Sequence, residues 1–156
     1  MSDTELKFAP PQSTQAFLQS TKFGALIVGP VGSTKTTAGI MKIAYHAAQM
    51  AQCKDGVRRS RCVWIRNTVQ QLDDTSIPDF LKWYPDGMAG AMLKTGKKFL
   101  LRFKANDGST VECEVLFRGL DDANDVRRLL SLQASFAVMD EFREIHKDIF
   151  EAVQGR

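Results

Sequence analysis

The residues from Gly29 to Thr37, "GPVGSTKTT", combine glycine, lysine and hydroxyl side chains in a spacing that suits the gripping of phosphate. A loop of the form G-x-x-x-x-G-K-[ST] offers successive backbone N–H groups to an anion, while its lysine reaches the outer phosphates and its hydroxyl serves Mg²⁺. Gly29, Lys35 and Thr36 fall on the first, seventh and eighth positions, and Thr34 stands where the sixth is usually glycine. Gly29 and Gly32 let the backbone curl, Lys35 is placed for the β and γ oxygens and Thr36 for the metal. Pro30, Val31, Ser33, Thr34 and Thr37 complete the stretch that would line the phosphates. A β-branched residue resists positive φ, so a loop that needs that conformation at Thr34 costs about 1–3 kcal/mol there. The plainer reading of the same residues is a turn between a strand and a helix.

About 105 residues further on, "SFAVMDE" sends four apolar residues, Phe136 to Met139, directly into Asp140 and Glu141. A buried strand ending in two carboxylates delivers them to the carboxyl edge of a parallel sheet, where the first orients the Mg²⁺ shell and the second polarises an attacking water. Asp140 takes the metal role and Glu141 that of the base. The alternative is an acidic pair at the start of the next helix, favoured by the helix dipole alone. The two motifs in this order point to a nucleoside triphosphatase that takes ATP and Mg²⁺.

The elements needed to position these groups are legible around them. "FAPPQSTQAF" reads as an extended arm over residues 1–19, and "FGALIVG", Phe23 to Gly29, as a strand buried on both faces. "TTAGIMKIAYHAAQMAQ" from Thr36 to Gln52 has Ile40, Ile43, Ala44 and Ala47 on one helical face. A charged loop, "KDGVRRSR", precedes a second buried strand at Cys62 to Ile65. "TVQQLDDTSIPDFLKWYP" mixes helical segments around Pro78, and "DGMAGAM" reads as a turn or mobile loop. Phe99 to Phe103 and Val111 to Phe117 flank Asn106, Asp107 and Gly108 as a hairpin. "LDDANDVRRLLS" is a short helix, and "FREIHKDIFEAVQ" carries helical periodicity after the last strand. Strands alternating with helices predict an α/β fold with a mainly parallel central sheet, flanked by helices and carrying the hairpin as an insertion. Residues 20–156 form its single domain.

Composition sets limits on the partners. The 156 residues are 44% hydrophobic and 25% charged, as in a globular domain. No apolar run reaches the roughly 20 residues of a membrane span, and the N-terminus lacks a secretory pattern, so a cytosolic protein is expected. Cys53, Cys62 and Cys113 lack zinc or disulfide spacing. A net charge of +3 is compatible with a polyanion. Lys54, Arg58, Arg59 and Arg61 form one basic cluster and Lys94, Lys97 and Lys98 another; each is either a path for a phosphate backbone or solvated surface.

Taken together, "GPVGSTKTT", "WIRNTVQQLDDTSIPDFLKWYP" and "FRGLDDANDVRRLLSLQASFAVMDEFREI" resemble the ATPase portion of the large terminase subunit, the DNA-packaging motor of tailed bacteriophages. The resemblance runs from about Phe17 to the C-terminus, and its more specific segments are R-N-T-x-x-Q-L-x-D-T and F-x-G-L-D before the acid pair. It implies a P-loop NTPase of the additional-strand catalytic glutamate class. Lys35 and Thr36 then bind ATP and Mg²⁺, Asp140 supports the metal and Glu141 is the catalytic carboxylate. Gln12 or Gln15 would contact adenine. Arg66, Arg127 or Arg128 would stabilise charge on the transferring phosphoryl group, in cis or from a neighbouring subunit; the plainer role for each is a surface ion pair. The implied partners are double-stranded DNA, the portal, the small terminase subunit and further copies in a ring, in the cytoplasm of an infected bacterium. The family's coupling motif and nuclease domain have no counterpart in these residues, so an open sheet edge and no endonuclease activity are expected. Two rival readings are another P-loop nucleic-acid motor, such as a helicase, and a nucleotide-binding module without turnover.

Overall fold

Hydrogen bonding to a neighbour, rather than apolar character alone, decides which runs of this chain become strands. The computed structural model describes residues 8–30, 32–93, 95 and 97–154, so Val31 and Lys94 lie outside the described residues. Among the described residues there are five strands: β1 (Val57–Ile65), β2 (Gly90–Leu93), β3 (Lys98–Lys104), β4 (Thr110–Arg118) and β5 (Phe136–Met139). They form one sheet in the order β2-β3-β4-β1-β5. β1 runs parallel to β4 and β5, while β2, β3 and β4 are joined antiparallel, so the sheet is mixed rather than mainly parallel. The hairpin is not an insertion beside the sheet: its second strand, β4, is the central one.

Six α-helices among the described residues flank it: α1 (Gln12–Gln19), α2 (Lys35–Gln49), α3 (Val69–Gln71), α4 (Ile77–Trp83), α5 (Ala123–Ser131) and α6 (Lys147–Gln154). The alternation of side chains along a strand sorts the core into two layers. Cys62, Trp64, Phe99, Leu101, Val111, Cys113, Val115 and Phe117 face α2 and α4, meeting Ile40, Ile43, Ala47 and Phe80. Val63, Ile65 and Leu116 face the other way and are covered by Leu129 of α5 and by Ile145 and Ile149 near and on α6. A Cβ on Gly39 would lie 3.4 Å from Trp64 and from Val138, so the small residue lets α2 approach β1 and β5 closely.

Further sequence expectations change. The arm is extended only through Pro10 and Pro11; α1 follows, and the Lys42 ammonium donates to the carbonyls of Phe17, Leu18 and Ser20 at its end. A cation there satisfies carbonyls that have no partner within the helix. Second, the run Phe23 to Gly29 pairs with no strand, and Phe23, Leu26 and Val28 are 83%, 68% and 83% exposed. An apolar stretch becomes a strand only where another comes alongside to take its N–H and C=O groups, and none of the five does. Third, Arg58, Arg59 and Arg61 are not in a loop but in β1, whose first half pairs with β4. Fourth, part of "DGMAGAM" is β2, an edge strand paired with β3. β5 forms the opposite edge and is only half-buried, not enclosed on both faces. No described helix is long and apolar enough to cross a membrane.

Candidate functional site

Gly32, Ser33 and Thr34 form a tight turn that opens directly into α2. Gly32 has φ +80° and Thr34 adopts φ 60°, ψ 15°. The strain foreseen for a β-branched residue at this position is therefore present, of order 1–2 kcal/mol for a left-handed conformation. The Thr34 carbonyl accepts the first helical bond, 2.8 Å from the Ala38 N–H, which leaves the amides at the head of α2 without intrahelical acceptors. Lys35 turns back into the loop. Its Nζ lies 2.7 Å from the Gly29 carbonyl, 2.6 Å from that of Pro30 and 3.1 Å from Ser33 Oγ. All three ammonium donors are thus engaged by loop oxygens. A Cβ on Gly29 would come 2.7 Å from Ser33 Oγ, so a side chain here would make the serine hydroxyl turn away.

The acid pair stands at the carboxyl end of β5, as the strand-to-acid pattern predicts. The Asp140 N–H donates to the Ile65 carbonyl at 3.0 Å, extending the pairing with β1 by one residue. Its Oδ2 accepts from Arg66 Nη1 at 2.6 Å and from Ser76 Oγ at 3.0 Å. Its Oδ1 lies 3.4 Å from the Thr36 hydroxyl, a contact across 104 residues that joins the two motifs. Glu141 follows with φ 51°, ψ 53° at the head of a 3-10 turn, Phe142–Glu144, where its side chain makes no capping hydrogen bond. Its carboxylate is a third exposed and 3.7 Å from Arg143 Nε. Thr34, Lys97 and Glu141 are the three non-glycine residues with positive φ among those described, and two of them occupy signature positions. Such strain concentrates at working sites.

The two longer segments that carry the resemblance meet each other behind this pair. Thr68 and Gln71 form a reciprocal capping box at the head of α3, and Gln71 Nε2 donates to Glu144 at 3.1 Å. The Leu120 N–H donates to the Asn67 carbonyl at 3.1 Å, and the Val69 N–H to Asp121 Oδ2 at 2.8 Å. Gly119 is required where they cross, because a Cβ there would sit 2.4 Å from the Val69 nitrogen. These contacts fix Arg66, the first residue after β1, whose N–H donates to the Arg118 carbonyl at 3.0 Å.

Of the three candidate arginines, Arg66 alone contacts the site's carboxylates. It and Asp140 are mostly covered, with side chains 13% and 9% exposed. Arg127 and Arg128 are exposed on α5, Arg128 lying 3.7 Å from Asp125. Gln15 bonds the Pro10 carbonyl within the arm, and Gln12 is exposed at the start of α1; neither hydrogen-bonds a described residue of the loop.

Ser76 is the residue that sequence reasoning missed. In "TSIP" a serine two residues before proline reads as a helix cap. Instead the helix runs through a π turn, Leu72–Ser76, and the fully buried Ser76 hydroxyl points at Asp140. π turns recur at functional sites; the signal available beforehand was only the crowding of polar residues before Pro78. No protein-family model, curated protein or solved structure matches this chain.

Proposed function

We propose that the chain binds and hydrolyses ATP at this site, as the ATPase part of a motor that translocates double-stranded DNA. The observation that carries the reading is the approach of Thr36 Oγ1 to Asp140 Oδ1, 3.4 Å, at the head of α2. A hydroxyl and a carboxylate oxygen side by side are the hard donors that Mg²⁺ takes, with its other positions left to phosphate and water. Thr36 and Asp140 would hold the metal, which when bound neutralises charge between the β and γ phosphates. No group of three or more His, Cys, Asp or Glu gathers among the described residues, and a site that relies on substrate phosphates needs none.

The chain's own residues then have distinct tasks. Lys35 exchanges its loop oxygens for phosphate oxygens, an exchange of neutral for anionic acceptors that strengthens each bond. Glu141 takes a proton from the attacking water as the γ-phosphoryl passes to it in line and the bond to the β-phosphate oxygen breaks. Charge on the phosphoryl group is offset by Lys35 and by an arginine: Arg66 in cis, or Arg127 or Arg128 from a neighbouring copy. Coupling of hydrolysis to DNA, the portal, the small subunit and the ring rests on the resemblance of the quoted segments.

A second reading, a nucleotide-binding module without turnover, is favoured by the unpaired lead into the loop. Phosphate release by the parent and by Glu141→Gln separates the two. On the first reading the variant loses about 10²–10⁴-fold in rate while still binding ATP. No release from a folded parent that binds ATP supports the second.

A further inference from the structure

Arg59 and Arg61 of the first basic cluster and Lys98 of the second share with Arg102 and Lys104 one sheet face, whose rows away from the phosphate loop are covered by no described helix. We infer that this face, over the first half of β1 and across β4 and β3, is a docking surface for the phosphate backbone of duplex nucleic acid. The register places Arg59, Glu112 and Arg102 in one row across the three strands and Arg61, Glu114 and Leu100 in the next. Lys98 reaches Glu114 diagonally at 3.3 Å, and Lys104 bonds Thr110 at 2.8 Å in the row beyond Arg102. The cations extend about 20 Å along β3. Helices α5 and α6 cover Val63, Ile65 and Leu116 on this side and stop short of these rows.

How the arginines are held decides what the face offers. Arg59, Arg61 and Arg102 each meet their glutamate through Nε, at 3.4, 2.6 and 3.4 Å. Arg59 Nη1 also meets Asp55, and Arg61 Nη1 the Gln133 carbonyl. Arg59 also bonds Cys53, so the most open guanidinium group is that of Arg102, whose two terminal nitrogens present the fork geometry that suits phosphate. The glutamates lie beneath, 25% and 24% exposed, against 48%, 43% and 66% for the three arginines. Five cations face three carboxylates when Asp55 is counted, so the face is net positive while the carboxylates keep the guanidinium groups aligned.

The face also says which polyanion. Its large exposed apolar residues are Leu93 and Leu100, while Trp64, Phe99 and Phe117 belong to the opposite, buried face. With no aromatic platform for unstacked bases, the contacts are to phosphate, sequence-independent and suited to a duplex. The inference adds to the proposed function the place where a duplex lies, and its evidence is independent of the nucleotide site.

Fluorescence anisotropy with a labelled duplex of mixed sequence, over a salt series, tests it on the full chain. In the double variant Arg102→Gln/Lys104→Gln, affinity falls on the order of tenfold and the slope of log K against log salt loses about 0.9 per phosphate contact removed. The double variant Lys82→Gln/Lys147→Gln, which neutralises exposed helix lysines, leaves both unchanged. Near-UV circular dichroism confirms that each variant is folded. Equal affinity and slope in the parent and the Arg102/Lys104 variant would overturn the inference. So would preferential binding of poly-L-glutamate, which would assign the face to an acidic protein, or of a single strand. Calorimetry with ATP on the same samples keeps the readings apart: ATP binding without duplex binding sinks this inference alone, and the converse sinks only the nucleotide site.

Discussion

Asp140 and the phosphate loop meet at a single oxygen pair, yet the chain holds them in different ways. Asp140 ends a strand paired to β1, and its carboxylate is gripped by Arg66 and Ser76. The loop is anchored chiefly on one side: α2 packs behind it, while the segment before it, from Phe23 to Val28, pairs with no described strand and exposes Phe23, Leu26 and Val28. One half of the site is rigid by construction, and the other is closed chiefly by Lys35 bonding its own loop. An anion-binding loop built this way has donors to rearrange, whereas the metal-side carboxylate has a fixed place.

Breaking the rigid half carries the largest expected effect. Arg66→Ala leaves Asp140 largely buried without its cation and costs about 3–5 kcal/mol, read as a drop in the urea midpoint at unchanged m. Val28→Ser in the unpaired lead, by contrast, shifts stability by less than about 0.5 kcal/mol. Equal effects from these two changes would remove the contrast. Ser76→Ala falls between them, at about 1.5–3 kcal/mol, for loss of a hydrogen bond to a charged group.

The loop half is sharpened by Thr34→Gly. Relief of the left-handed conformation, about 1–2 kcal/mol, outweighs the 0.5–1 kcal/mol of backbone entropy that glycine adds to the unfolded chain. The net gain of about 0.5–1 kcal/mol raises the Tm by about 2 °C. A lower Tm would mean that the threonine hydroxyl, which donates to the Ser33 carbonyl at 2.6 Å, matters more than the strain.

These contrasts also explain what the sequence did and did not disclose. Local chemistry was legible: the Asn106–Gly108 turn, the short helix that becomes α5, and α2 behind the loop all appear where pattern and propensity place them. The strained Thr34 was legible as a conditional cost. Pairing was not, because an apolar run such as Phe23 to Gly29 carries no record of whether a neighbouring strand exists. Arg58, Arg59 and Arg61 looked like loop residues because charge is rare in strands with two covered faces, and this half of β1 has an open one. Ser76 escaped because its role depends on a π turn that rotates it towards a residue 64 positions away.

The smallest effect concerns the helix behind the loop. Burial and the nearby Lys42 charge hold His46 below its ordinary value of 6.5. The unfolded chain therefore binds more protons between the lowered value and 6.5, so stability falls as pH drops through that window and levels off beneath it. His46→Gln flattens this part of the Tm–pH profile, and an unchanged profile would exclude His46 as its source. Glu114 also lies below its ordinary range: burial pushes it up, but hydrogen bonds from Arg61 and Lys98 and their charges outweigh that. It acts at more acidic pH.

The most direct test of the account is isothermal calorimetry of ATP with Mg²⁺ on the parent chain beside Lys35→Ala and Asp140→Asn. Binding by the parent that is lost in Lys35→Ala, and that loses its Mg²⁺ dependence in Asp140→Asn, is the predicted result. Equal heats from the parent and Lys35→Ala, or no binding by a folded parent, would contradict the claim that Gly29 to Thr37 and Asp140 form one nucleotide site.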